Sequence, residues 1–172
     1  MSTSLYDATV GTYLQILPAV EGVLEKGRAH CEANGIDLND VLGTRLIDDM
    51  LPFTFQVFSV AHHSLGALKG VEAGVFGPPQ VEQTDYAGLQ ALVAQAREGV
   101  SQYTAETVNG FEGNPMEFRM GSLTMPFKAE DFLLTFSLPN FYFHATTTYD
   151  MLRMKGTPIG KGDFMGRPRL DR

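Results

Sequence analysis

The 172-residue chain has a single cysteine, Cys31, so no disulfide can close within it and a reducing compartment is the simplest expectation. Positive charge is scarce as well. Thirteen Lys and Arg stand against 20 Asp and Glu, for a formal net charge of -7, and no two basic residues are adjacent. That balance weighs against phosphate backbones and anionic lipid surfaces, so no nucleic acid and no membrane is expected as a partner. No long apolar run is present. The segment from Leu51 to Ala61 is among the most apolar, yet Pro52, Thr54, Gln56 and Ser59 interrupt it, which leaves it too short and too polar to span a bilayer. The opening Met-Ser-Thr-Ser-Leu-Tyr-Asp lacks the basic start and apolar core of an export signal, and the expected location is the cytoplasm. Also missing are a Gly-rich phosphate loop, a Cys-x-x-Cys pair and a His-Glu-x-x-His turn. Gly160-Lys161 has neither the upstream glycine spacing nor the following helix that a phosphate loop requires. There is no internal repeat.

What the chain does have is apolar material and helical rhythm. Hydrophobic residues make up 44% of it, enough for one buried core, and a single domain over residues 1–172 is expected. From Leu5 to about Ala33, Tyr6, Val10, Tyr13, Leu17, Val20 and Leu24 recur in steps of four and three, predicting a long first helix bent at Pro18 and stopped by Asn34-Gly35. Ile36 to Asp49 reads as mixed, with a short helical turn. A second helix should follow Pro52 and run to about Lys69-Gly70, with one stripe of Leu51, Phe55, Phe58, His62 and Leu65 and another of Phe53, Val57, Val60, Ser64 and Ala67.

Gly74 to Gln83 is a connection that cannot stay helical. Thr84-Asp85 opens a third helix whose seam is Tyr86, Leu89, Val93, Ala96, Val100 and Tyr103. Between Gly110 and Phe127 the period falls to two around Gly121-Ser122, which predicts a small β-hairpin. The last helix should run from Lys128–Asp131 to about Lys155, kinked at Pro139. The Gly- and Pro-rich tail from Ile159 to Arg172 is expected at the surface or partly mobile. The predicted class is all-α, a four-helix bundle with a small β-hairpin before the last helix.

Leu5-Tyr6-Asp7-Ala8-Thr9-Val10, Leu138-Pro139-Asn140-Phe141-Tyr142-Phe143-His144 and Gly160-Lys161-Gly162-Asp163-Phe164 give the chain a resemblance, over nearly its whole length, to an uncharacterised bacterial family in the DinB/YfiT-like superfamily. The resemblance implies a DinB-like four-helix bundle, frequently dimeric. It also implies a divalent metal held by one histidine of the second helix and a His-x-x-x-His pair of the last, and some relatives are thiol-dependent transferases. In this chain Asn140-x-x-x-His144 occupies what looks like the paired turn, so an amide replaces one imidazole. That is a poor exchange for zinc or nickel, which favour nitrogen and sulfur donors.

Asn140 and His144 lie one helical turn apart on a shared face, where two polar groups must satisfy each other, hold a ligand or bear a desolvation cost. His144 can ligate, donate or accept near neutral pH; a core histidine with a protein partner is the competing reading. Asn140 could instead bond backbone groups freed by the Pro139 kink. Gln56 and Tyr142 complete the ligand-binding candidates, and Tyr142 also reads as a core-edge ring with a polar tip. His62 lies on the Phe55/Phe58 stripe and could reach toward His144, which makes His62 and His144 the metal candidates; His63 shares another face with Gln56. Asp48-Asp49 reads as favouring the start of the second helix, and Cys31 as an inert thiol. Two functions follow as expectations. One is a small-ligand-binding or interaction protein with a degenerate metal site and no cofactor, forming a homodimer. The other is a hydrolase or thiol transferase using zinc or nickel on His62 and His144.

Overall fold

Ser4 opens the first helical turn, its hydroxyl accepting from the Asp7 amide at 3.1 Å, in a computed structural model that describes residues 3–170. The predicted first helix is divided into α1 (Leu5–Ala8) and α2 (Val10–Ala33). Thr9 marks the break: its Oγ1 donates to the Leu5 carbonyl at 2.7 Å, a back-bond that competes with regular helix geometry. Pro18 faces solvent and α2 continues through it. Asn34 caps α2, and Gly35 takes the left-handed conformation at φ 65 that a side chain would resist.

After α3 (Leu38–Leu42) the second long helical segment runs as α4 (Phe53–Ala61), a π-helical turn over His62–Gly66 and α5 (Ala67–Ala73), ending at left-handed Gly74. Of its two predicted stripes, Phe53, Val57, Val60, Ser64 and Ala67 are all buried, whereas Phe55, Phe58, His62 and Leu65 are only half-buried and Leu51 is exposed. α6 (Tyr86–Ser101), capped by Asp85, buries its whole apolar seam of Tyr86, Leu89, Val93, Ala96 and Val100. α7 (Ala105–Asn109) lies between α6 and the strands that follow Asn114. The last long segment is α8 (Ala129–Asp131), a second π-helical turn over Phe132–Ser137 and α9 (Leu138–Met154).

The four long segments pack in a ring, α2 on α6, α6 on α4, α4 on α9 and α9 on α2. Inside the ring lie Tyr13, Leu17, Leu24, Phe53, Leu89 and Phe141; Tyr13 and Phe141 meet edge to face at 4.9 Å. Each such side chain contributes about 1.5–3 kcal/mol by leaving water.

One expectation is corrected. The fold is helical with a three-stranded mixed sheet, not all-α with a lone hairpin. β2 (Pro115–Met120) and β3 (Leu123–Lys128) form the predicted antiparallel pair around Gly121-Ser122, but β1 (Val75–Phe76), inside the supposed structureless connection, adds to β2 in parallel. Residues 159–170 of the tail lie mostly at the surface, as expected, and they include a short helix. Ile159 is buried, and α10 (Lys161–Met165) follows Gly160 and packs on α2, with Lys26 and Asp163 paired across them at 2.5 Å. No helix among the described residues is long and apolar enough to cross a membrane.

Candidate functional site

Both π-helical turns lie where the second and last helical segments meet. Pro139, one residue into α9, has no amide proton for the Thr135 carbonyl, and the turn before it relaxes so that the Leu138 amide reaches back five residues to Leu133. Asn140 serves this irregularity, its Nδ2 donating to the Phe136 carbonyl at 2.7 Å. Ser137, inside the same turn, donates through Oγ to the His63 carbonyl at 3.1 Å, which ties the two π-helical turns together.

Around that junction Ser59 and His63 line a pocket of about 180 Å³ together with Asn140 and His144. Phe55, Phe76, Phe118 and Phe136 form its apolar wall, and Pro78 and Met120 lie at its exposed mouth. Gln56 contributes from behind, since it is buried and bonds both His144 and the Leu51 carbonyl.

The hydrogen bonds assign the imidazole protons. Gln56 Nε2 donates to the Leu51 carbonyl at 2.9 Å, so Oε1 is the atom facing His144 Nδ1 at 2.7 Å, and His144 must carry its proton on Nδ1. Ser137 has one proton for two neighbours; with it on the His63 carbonyl at 3.1 Å, which can only accept, the hydroxyl oxygen, 3.2 Å from His63 Nδ1, takes the proton of that ring. Both Nε2 atoms are left as acceptors without a partner among the described residues. The two rings lie nearly parallel, 14° apart, with centroids at 5.9 Å. Burial holds both neutral: it pushes His144 down to about 4, and burial together with the neighbouring His62 and His144 pushes His63 down to about 3. The Ser59 hydroxyl, fully buried on the same wall, also has no partner.

The predicted site residues therefore separate. Asn140, His144 and Gln56 are brought together. Tyr142 points outward, 39% exposed. His62 does not reach His144: its Nε2 lies 2.7 Å from the Gly77 carbonyl, its ring stacks on Phe76 at 4.2 Å, and it lines a separate hollow with Leu65, Leu92 and Gln95. His63 takes the place beside His144. The Gln56, Ser59, His63 spacing of three and four was the available signal for it, a polar stripe on an otherwise apolar helix.

The donors that face the pocket are two imidazoles and an amide, with no carboxylate or thiolate. Among the described residues no group of three or more His, Cys, Asp or Glu is placed to share a metal ion. Cys31 is buried at the end of α2, and Asp48 and Asp49 lie in the exposed loop before α4. A larger hollow of about 770 Å³ lies between α2 and α10, but Lys26 and Asp163 on its wall are already spent on each other.

Residues 5–165 match the model of a family described as Domain of unknown function (DUF1993). No curated protein matches the chain. Among solved structures, a DinB family member protein from Shewanella denitrificans is similar, with a TM-score of 0.79 and 22% identity over 98% of this chain and 95% of that one. The likeness carries the fold, and the chain is DinB-like in architecture.

Proposed function

The chain belongs to the family Domain of unknown function (DUF1993), and from the pocket between its two π-helical turns we propose that it is a small-molecule-binding protein with a degenerate metal site. The observation that carries the reading is the set of unspent polar atoms in an aromatic-walled cavity: Nε2 of His63, Nε2 of His144 and the hydroxyl of Ser59. A buried polar atom ordinarily has a partner, and the Ser59 hydroxyl has none; with two imidazoles on the same aromatic wall, the pocket suits an occupant that meets them. On this reading the ring of four long segments is the four-helix bundle of the DinB type, working in the cytoplasm. Self-association through exposed apolar side chains such as Ile47, Leu51 and Phe143 would give a homodimer.

The second reading is a metal-dependent hydrolase or thiol transferase. The His62 and His144 pair expected from sequence has little support, since His62 is engaged with Gly77. His63 and His144 offer two nitrogen donors, one short of the three protein ligands usual at a catalytic zinc, with only the Asn140 amide to add.

A thermal-shift screen of small fragments separates these readings. Ligand at about ten times its Kd adds about 1.4 kcal/mol, a rise of about 3–5 °C in Tm for a domain of this size. Compounds that raise the Tm of the wild type and lose the effect in His144→Phe support the binding reading. A screen without such compounds, or stoichiometric zinc or nickel that is lost in His144→Phe, contradicts it.

A further inference from the structure

The polarity of the pocket narrows what it can hold. Asn140 spends a donor on the Phe136 carbonyl, and each imidazole spends its only proton on a protein oxygen. The groups that remain for an occupant are three acceptors, Asn140 Oδ1, His63 Nε2 and His144 Nε2, and two donors, the second N–H of Asn140 and the Ser59 hydroxyl. Acceptors therefore outnumber donors. No Lys or Arg lines the cavity. A carboxylate or phosphate would meet the two imidazole acceptors with no cation to balance its charge, so an anion is the wrong occupant.

Resting on the reading of this cavity as a ligand site, we propose that its ligand is a compact organic ammonium ion, a primary amine whose three N–H groups meet Asn140, His63 and His144 while its short stem lies among the phenylalanines. An ammonium is the group that offers three donors and no acceptor. Phe55, Phe76, Phe118 and Phe136 supply ring faces and edges, and a ring face attracts a cation while the same wall excludes water from the stem. Burial keeps both imidazoles uncharged, so neither repels the incoming charge. The chain's net charge of -7 favours a cation over an anion at long range. At about 30 Å³ per water, the cavity of about 180 Å³ holds the volume of roughly six waters, which fits a stem of a few carbons. The Ser59 hydroxyl, buried on the same wall without a partner, is a further polar atom that an occupant would satisfy.

Isothermal titration calorimetry of the whole chain at pH 7.5 with n-butylammonium, 1-butanol, butyrate and Zn²⁺ tests this. n-Butylammonium should bind at least tenfold more tightly than the alcohol or the carboxylate of similar size. His144→Phe should cost at least tenfold in that affinity, while Tyr142→Ala, at the surface, leaves it unchanged. The wild-type series decides the matter even where the pocket variant fails to fold. Equal or tighter binding of 1-butanol or butyrate overturns the ammonium while leaving a ligand pocket in place. Zn²⁺ that binds stoichiometrically and excludes the amine overturns both the ammonium and the degenerate-site reading. Absence of binding by all four overturns the ammonium, and the fragment screen then decides separately whether the pocket binds anything.

Discussion

The α2–α6 seam and the α4–α9 junction are built from the same kind of helix, yet they behave as opposites. Along α6 every seam position from Tyr86 to Val100 is buried, the spacing is unbroken, and the one buried polar tip, the Tyr86 hydroxyl, donates to the Leu24 carbonyl at 2.8 Å. Across α4 and α9 the helices relax into π-helical turns, and Gln56, Ser59, His63, Ser137 and His144 are buried together. The first region holds the molecule together by apolar burial. The second carries desolvated polar groups that a seam made only for stability would exclude.

Substitutions can break that contrast. The largest loss is expected in the seam: Leu89→Ala should cost about 3 kcal/mol through lost burial and the cavity left behind, read as a lower urea midpoint at unchanged slope.

Acid should come next, and it acts on the junction. His63 and His144 titrate near 3 and 4 in the folded chain against an ordinary 6.5, so below pH 6.5 the unfolded chain binds more protons than the folded one. Their contribution to stability is therefore fully present above pH 6.5 and is lost progressively as pH falls toward 4, by about 2–3 kcal/mol at pH 5.5. His62, whose imidazole burial also lowers, acts in the same direction. Urea melts of the wild type and of a His63→Phe/His144→Phe double variant should diverge in this window, with the variant flatter.

Gln56→Met should cost about 1.5 kcal/mol, because it leaves the buried His144 Nδ1–H without its acceptor while preserving volume. The smallest effect belongs to Ser59→Ala. Its hydroxyl has no partner to lose, so the unfolding free energy should stay within about 0.5 kcal/mol of the wild type or rise slightly. A loss as large as that of Leu89→Ala would show that Ser59 has a structural partner and would dissolve the contrast between the two regions.

How much of this was legible in the sequence follows the same line. Regular periodicity announced the α6 seam, and the change of period around Gly121-Ser122 announced the β2–β3 hairpin. β1 was not legible, since two residues with one parallel neighbour carry no periodic signal. The short α10 was hidden by glycines on either side, because its place is set by packing on α2. At the candidate site, Pro139, Asn140 and His144 could be read directly. The choice of His62 over His63 went astray because a helical wheel favoured the Phe55/Phe58 stripe, whose Phe58, His62 and Leu65 turn to the hollow beside α6. The buried face instead carries Gln56, Ser59 and His63 into the π-helical turn.

Two neutral imidazoles, each protonated on Nδ1, turn bare Nε2 atoms toward one pocket. Long-range ¹H–¹⁵N correlation spectra of the ligand-free protein at pH 7 test it most directly. Both His63 and His144 should show a protonated Nδ1 and an unprotonated, pyridine-like Nε2. An Nε2–H tautomer or a charged ring at either position would contradict the account.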